Sequence, residues 1–588
     1  MHIVGLSAFY HDAACCLLKN GNLVAAASEE RFTRVKHDPR LPVHAFRYCL
    51  EEGGIDITEI DAVAWYEMPV DKVARQLWAG MPKDRATDFA WFDPRVPERA
   101  IRQRLGFQGP IHFFPHHLSH AASSFFFSGF EEAAVFTVDG VGEWATTSYG
   151  RGSAAGIELF DEVHFPHSLG LLYATITAYL GFKVNDGEYK VMGLAPYGTP
   201  RLVEKIRNLV SSLEKGQFRL DMRFFDFVRG QRMYSEALCD LLGRAPRQTD
   251  EPIQSFHQDV AYAVQKVLEE ILLEKVGYLR EFTNTRNLCM AGGVALNCVA
   301  NGRILRESGF EKLFVQPAAG DAGTALGAAA LAHHKLAGQF RASMDHAFWG
   351  PAWHEEPLDA IVHATGLPFK DYRGSEANLL EAVVQRLAAG KIVGWFQGRA
   401  EWGPRALGAR SILANPLMPE TKEHLNNAIK KRESFRPFAP SVLLSQAKEH
   451  FDLDQGSPFM LEVCQVSSEL ELPGITHVDG SARPQTVDPE TAPRFAALIQ
   501  AFQHQTGCPL LVNTSFNVAN EPVVNSPADA LFCFANAGLD CLVMGDFLLD
   551  RNQLPEGWVQ RCRSWHQPVT SPFAREKNAI NEHLYTFV

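Results

Sequence analysis

The segment Pro115-His116-His117-Leu118-Ser119-His120-Ala121-Ala122 sets two histidines four residues apart. On a helix that spacing puts His116 and His120 one turn apart on the same face, where two imidazoles can chelate one ion. His117 points elsewhere around such a helix and is the weaker candidate. Two aspartates at glycine-flanked turns that follow apolar runs would complete a set of four: Asp139 in Asp139-Gly140-Val141-Gly142 and Asp321 in Gly320-Asp321-Ala322-Gly323. Imidazoles and carboxylates without a thiolate suit ferrous iron, manganese or zinc. The same residues would serve equally as the polar face of a surface helix and two ordinary turns, and spacing alone does not choose.

Other segments point to anions and nucleotides. Gly292-Gly293 after an apolar run leaves bare backbone for close approach of a ligand, and Asn297 a turn later could meet a ribose or base. Glu188 and Lys190 lie in a glycine-bounded stretch, Asp186 to Ala195. No Gly-x-x-x-x-Gly-Lys-Ser/Thr loop occurs, which disfavours a P-loop enzyme. Further on, Glu401-Trp402-Gly403-Pro404-Arg405-Ala406-Leu407-Gly408-Ala409-Arg410 carries two arginines around a Pro/Gly turn. Lys430-Lys431-Arg432-Glu433-Ser434-Phe435-Arg436 mixes cations with aromatics. Guanidinium binds phosphate bidentately and lysine adds a point charge. Val512-Asn513-Thr514-Ser515-Phe516-Asn517 offers polar donors just after an apolar strand. The alternative is a surface cation cluster and a capped turn.

The elements that must position these residues read as α/β. Strands are expected over 3–6, 15–18 and 23–27, the last two joined by Asn20-Gly21, a strong hairpin signal. A second such arrangement follows, with strands at 134–138 and 144–149 around Asp139-Gly140-Val141-Gly142. Two hairpins with an Asp near the turn suggest a duplicated architecture. Val260, Val264, Val267 and Ile271 share one helical face. A strand at 288–290 runs into Gly292-Gly293 and a helix from about Val294. A strand at 313–315 precedes Asp321 and an alanine-rich helix. The pattern breaks at Phe348-Trp349-Gly350-Pro351, which places a domain boundary near 350. A second α/β unit follows, with strands at 392–396 and 510–512. The stretch 455–493 reads as a long loop or insertion.

At 588 residues the chain is too long for one ordinary core. It is 46% hydrophobic and 21% charged, as globular proteins are. A net charge of -12 argues against nucleic acid as the main partner. The 11 cysteines include no Cys-x-x-Cys pair, so a zinc ribbon is disfavoured and a reducing compartment fits. No basic leader and no apolar run near the roughly 20 residues that span a bilayer are seen. The expectation is a cytoplasmic protein with no membrane partner.

Seven segments in order carry a resemblance: Tyr10-His11-Asp12-Ala13-Ala14, Glu29-Glu30-Arg31-Phe32, His116-His117-Leu118-Ser119-His120-Ala121, Gly187-Glu188-Tyr189-Lys190-Val191-Met192-Gly193-Leu194-Ala195, Gly292-Gly293-Val294-Ala295-Leu296-Asn297, Gly403-Pro404-Arg405-Ala406-Leu407-Gly408 and Asn513-Thr514-Ser515-Phe516-Asn517. Together they resemble the NodU/CmcH family of O-carbamoyltransferases over nearly the whole chain. The resemblance implies a duplicated actin-like ATPase/sugar-kinase-type domain over 1–350, similar to the tRNA threonylcarbamoyl-transferases, and a YrdC-like α/β domain over 351–588. It implies that carbamoyl phosphate and ATP give carbamoyl-adenylate in the second domain, with Mg2+ accompanying ATP. The carbamoyl group then passes to a hydroxyl of a small-molecule acceptor in the first. It assigns iron, or another divalent ion, to His116, His120, Asp139 and Asp321. Carbamoyl phosphate and ATP fall to Arg405, Lys430, Arg436, Asn513 and Ser515, with the choice between Lys430 and Lys431 open. Nucleotide in the first domain falls to Lys190, Gly292, Gly293 and Asn297.

Within that frame His11 is the candidate general base, since an imidazole of ordinary pKa near 6.5 suits proton removal from an alcohol. Two rival readings share parts of the pattern. A tRNA threonylcarbamoyladenosine synthase-like fusion has both domain types. A non-enzymatic actin-like ATP-binding protein would explain the glycine turns but leave the histidine pair and the cations idle. The acceptor is not encoded in any motif, although antibiotic and nodulation-factor alcohols both fit the family.

Overall fold

The computed structural model describes residues 1–80, 92–228 and 232–565. They form two compact units. The first takes Met1–Glu29 and the described residues of His37–Met344; the second takes Glu30–Lys36 and the described residues from Asp345 onward. The short segment Glu30–Lys36, read from sequence as part of a continuous 1–350 domain, therefore groups with the second unit. Arg31 donates to Gly403 O at 2.9 Å there, and Arg34 donates to Val523 O and Pro522 O at 2.7 and 2.8 Å.

The first unit is built on two five-stranded sheets. The strands of one are β1 (His2–Ser7), β2 (Ala14–Lys19), β3 (Asn22–Ser28), β4 (Ala62–Trp65) and β5 (Ile111–Phe113), in the order β3-β2-β1-β4-β5. The other holds β6 (Ala133–Val138), β7 (Ala145–Ser153), β8 (Gly156–His164), β9 (Asn287–Ala291) and β10 (Lys312–Val315), in the order β8-β7-β6-β9-β10. In each, the first three strands form an antiparallel meander, and the fourth and fifth run parallel to the first. This shared topology is the duplicated arrangement expected from the sequence. The Asn20-Gly21 turn has φ of 51° and 82°, the left-handed pair that a two-residue hairpin demands. Topologically, the loop between β1 and β2 that carries His11 and Asp12 matches the loop between β6 and β7 that begins with Asp139.

Two helices connect this frame to chemistry: α1 (His116–Phe125), directly after β5, and α2 (Asp321–Ala337), after β10. They pack without room for side chains between them. A Cβ added at Gly327 of α2 would lie 1.7 Å from Ser119 O of α1, and one added at Gly5 of β1 would lie 1.9 Å from Ala325 O of α2. Backbone thus meets backbone on both sides of α2. The helix expected from about Val294 begins later: a 3-10 turn, Gly293–Leu296, comes first, and Asn297 caps the helix Cys298–Glu307. The valine and isoleucine stripe lies buried on the long helix Ser255–Thr283.

The second unit centres on a mixed sheet of eight strands among the described residues: β11 (Lys370–Asp371), β12 (Val393–Phe396), β13 (Arg410–Ala414), β14 (Ala439–Leu443), β15 (Gln485–Val487), β16 (Leu510–Ser515), β17 (Cys541–Met544) and β18 (Phe547–Asp550). Their order is β11-β18-β17-β12-β13-β16-β14-β15. Its core includes Trp395, Ile412, Leu511, Phe516 and Leu542. The 455–493 stretch, expected as a loop, supplies β15 at the sheet edge and a small antiparallel pair, Cys464–Gln465 with Ser481–Ala482. Among the described residues no helix is long and apolar enough to cross a membrane.

Candidate functional site

His116, His120, Asp139 and Asp321 come together in the first unit, all four buried, with one ligand atom from each within 4.8 Å of every other. His116 Nε2 lies 3.1 Å from Asp139 Oδ2 and 3.7 Å from Asp321 Oδ1, and His120 Nε2 lies 3.6 Å from each of the same oxygens. Donors held about 2.1 Å from one first-row ion sit roughly 3 to 3.5 Å apart, so the set fits a divalent cation. Both ring nitrogens of His120 and Asp321 Oδ2 are buried without a hydrogen-bond partner. Such groups are costly unless something binds them. The two imidazoles come from one helix face, as their spacing requires. Asp139 comes from the end of β6 and Asp321 from the first turn of α2, where the helix dipole favours a carboxylate.

The surroundings aim these ligands. Gly293 N donates to Asp139 Oδ1 at 2.8 Å, leaving Oδ2 for the histidines. Gly292 has φ of 97°, and a Cβ there would lie 2.2 Å from Val138 O. The two glycines thus serve the close approach of β9 to the end of β6. Glu143 accepts from His116 N at 3.0 Å and from Met68 N at 2.6 Å, capping α1 from a distant loop. Burial pushes its carboxyl above the usual range. His117 is engaged elsewhere, Nδ1 to Thr137 Oγ1 at 2.7 Å. Burial lowers the pKa of His120, but Asp139 and Asp321 outweigh it and push the value up to about 9. Burial likewise opposes ionisation of Asp139, yet His116 and His120 hold it well below the carboxylate range. A proton on His120 thus balances the carboxylates, and a cation would displace it.

His11 borders this cluster, with Nε2 3.7 Å from Asp321 Oδ2 and Nδ1 2.8 Å from Asp12 Oδ2. Burial lowers its pKa, while Asp321 and Asp12 together raise it to about 9. That departs from the ordinary value expected from sequence. A cation on Asp321 would offset its raising influence, so a base role for His11 is tied to metal occupancy.

The remaining first-unit candidates have local tasks. Lys190 Nζ lies 5.5 Å from the centre of the Phe182 ring. Asn297 Oδ1 accepts from Ala300 N at 3.1 Å, and its Nδ2 donates to Gln265 Oε1 at 3.0 Å. Gln265 in turn accepts from Tyr173 at 2.9 Å. Glu188 accepts from Asn185 N at 3.0 Å, and burial raises its pKa.

In the second unit the structure brings Lys430 and Ser515 together. Buried Lys430 donates to Ser515 O, to Ser515 Oγ at 3.3 Å, to Asn517 O at 3.0 Å and to Asn517 Oδ1 at 2.9 Å. Burial, then Arg432 and Arg436, lower its pKa well below the lysine range. Lys431 is exposed. Asn513 Nδ2 donates to Ser441 Oγ and Gln485 Oε1, both at 3.0 Å, while its Oδ1 is buried without a partner. Arg405 and Arg436 are half-buried; Arg436 lies 3.7 Å from Glu433. Arg410, the second arginine of its turn, is fully buried, donates to Gln397 O, Ala409 O, Pro351 O and Gly398 O, and lies 3.7 Å over the Phe396 ring. It is a structural residue. Glu401 accepts from Leu407 N, Ala409 N and Arg410 N at 2.7, 2.8 and 3.1 Å and so winds that turn. Sequence reasoning passed over Glu143, Ser441 and Gln485, because isolated polar residues in loops and strands carry no spacing signal, and gave Glu401, quoted at the head of its turn, no role. Asn517, quoted within its motif, was given no role.

Residues 2–330 match a family model described as the carbamoyltransferase N-terminus, and residues 384–551 one described as the carbamoyltransferase C-terminus. An uncharacterized protein of Synechocystis is 43% identical over 94% of this chain and 97% of its own length. The nodulation protein NolNO of Sinorhizobium fredii is 38% identical over 95% of this chain and 81% of its own. The 3'-hydroxymethylcephem-O-carbamoyltransferase of Amycolatopsis lactamdurans is 35% identical over 44% of this chain and 48% of its own. With both halves matched in order and a relative similar along nearly its entire length, the chain is an enzyme of the carbamoyltransferase family.

Proposed function

We propose that the enzyme is an ATP-dependent O-carbamoyltransferase that makes carbamoyl-adenylate in its second unit and delivers the carbamoyl group to a small-molecule hydroxyl in its first. The observation that carries the reading is the buried quartet His116, His120, Asp139 and Asp321, whose donors are spaced for one divalent cation. The name of the 3'-hydroxymethylcephem-O-carbamoyltransferase supports an alcohol on a natural product as acceptor. Carbamoyl phosphate and ATP would come from the cytoplasmic pool.

In the second unit, hydrolysis of carbamoyl phosphate gives phosphate and carbamate. A carbamate oxygen then attacks the α-phosphorus of ATP and pyrophosphate leaves, with Mg2+ accompanying the nucleotide. Arg405 and Arg436 neutralise the phosphates. Lys430 braces the Ser515–Asn517 turn, and the unpartnered Asn513 Oδ1 accepts from the carbamoyl N–H. In the first unit, His116, His120, Asp139 and Asp321 would hold iron or another divalent ion, which would supply Lewis-acid polarisation when bound, and Lys190 and Asn297 would border the nucleotide. The acceptor oxygen attacks the carbamoyl carbon, AMP leaves, and the hydroxyl proton passes to His11 Nε2.

Two half-reactions test this with labelled carbamoyl phosphate and a panel of hydroxylated acceptors. The wild type should release pyrophosphate dependent on carbamoyl phosphate and label an acceptor. His11→Asn should slow transfer by about 10²- to 10⁴-fold while pyrophosphate release continues. Loss of both half-reactions in that variant would remove His11 from the transfer step, and no pyrophosphate release from the wild type would defeat the adenylate route.

A further inference from the structure

The loop that carries His11 and the later segment that carries His37 both take left-handed backbone values. Phe9, Asp12 and His37 have φ of 69°, 54° and 55°, left-handed values at three non-glycine residues. Two backbone hydrogen bonds strap the loop to the segment after it: Phe9 N to Pro39 O at 2.7 Å and Ala13 N to Asp38 O at 2.9 Å. Together they present the Asp12 carboxylate to two imidazoles at once. Oδ2 lies 2.8 Å from His11 Nδ1, and Oδ1 lies 2.6 Å from His37 Nδ1. His37 Nε2 in turn lies 3.5 Å from Asp186.

An ionised carboxylate only accepts hydrogen bonds. Each Nδ1 facing Asp12 must therefore carry its proton, and the neutral His11 ring has its lone pair on Nε2, the nitrogen directed at Asp321. We propose that Asp12 is the positioning residue of the transfer step, fixing the His11 tautomer and ring plane, and that His37 locks the Asp12 carboxylate in the rotation that does so. The inference rests on the base role of His11 proposed above. When Nε2 takes the acceptor's proton, the Asp12 charge stabilises the imidazolium, and Asp12 itself stays ionised. Without His37 the carboxylate could turn away from His11.

Asp12→Asn keeps the shape but offers an amide N–H to one of the two rings, so one imidazole must change tautomer. The expected result is a kcat for transfer lower by on the order of 10²-fold or more, with acceptor KM and metal content by elemental analysis little changed. In a double-mutant cycle, Asp12→Asn/His11→Asn should be no slower than His11→Asn, because both remove one function. His37→Asn, whose amide can still donate to Asp12 Oδ1, should restore rate that His37→Ala loses. A wild-type kcat in Asp12→Asn, multiplicative losses in the double variant, or equal rates for His37→Asn and His37→Ala would overturn the proposal. A His11→Asn enzyme that transfers at full rate would instead defeat the base role itself, so the two failures are distinguishable.

Discussion

The candidate metal quartet of the first unit and the cation-rich segments of the second were both conspicuous in sequence, yet they are built on opposite plans. In the first unit, acceptor side chains converge and their lone pairs are left without protein partners: His120 has none at either ring nitrogen, and Asp321 Oδ2 has none. In the second, cations are engaged by the protein itself. Arg410 donates to four backbone carbonyls, and Lys430 is surrounded by oxygens of Ser515 and Asn517. Buried lone pairs converge without protein partners only where a ligand is to complete them, so clustered acceptors are diagnostic. Cations beside aromatics are not, because carbonyl oxygens, which every fold supplies in quantity, satisfy them equally well.

Removing the ligands of the first region should have the largest effect. His116→Ala/His120→Ala should leave no bound metal by elemental analysis and slow transfer by at least about 10³-fold; full metal content would end the contrast. Arg436→Ala should reduce carbamoyl-phosphate-dependent pyrophosphate release by roughly 10²-fold. Persistence of that release would mean that even the half-buried arginines of the second region are structural. Gly293→Ala probes the support of the first region, since the added Cβ would lie 2.9 Å from Asp139 Oδ1. Metal affinity by competitive chelation should weaken by about 10- to 100-fold, as when other second-sphere partners are lost. An unchanged affinity would show that Asp139 needs no such support. The smallest effect is expected for Lys430→Met, which strands the acceptors of Ser515 and Asn517 and should cost about 1–3 kcal/mol in chemical denaturation. Unchanged stability with a raised KM for carbamoyl phosphate would make Lys430 a ligand after all and erase its difference from the quartet.

Much of the frame was legible. The Asn20-Gly21 hairpin, the strands leading to Asp139 and Asp321 and the helix bearing the histidines are all where local pattern puts them, because turn chemistry and hydrophobic periodicity act over a few residues. Less visible were elements whose stability is non-local. β15 pairs with β14 about 40 residues upstream, and a stretch rich in Pro, Gly and Ser does not announce it. The local contacts of Gly292, Gly293 and Asn297 were hidden for the same reason. What they approach, Val138, Asp139 and Gln265, lies far away in the chain.

The four-residue spacing of His116 and His120 by itself determined that both imidazoles would face one way, since a helix allows nothing else. The family motifs determined the chemistry to expect. Only the tertiary structure decided that Asp139 and Asp321 would meet those imidazoles. That meeting depends on bare glycine at two crossings, Gly327 against α1 and Gly5 against α2, where a single extra methyl group would collide with backbone carbonyl oxygens. Tertiary packing likewise decided that one aspartate, Asp12, would serve two histidines 26 residues apart in the chain, His11 and His37. Spacing along a helix is a property of the chain, whereas convergence from separate strands and loops is a property of how closely their backbones can pack.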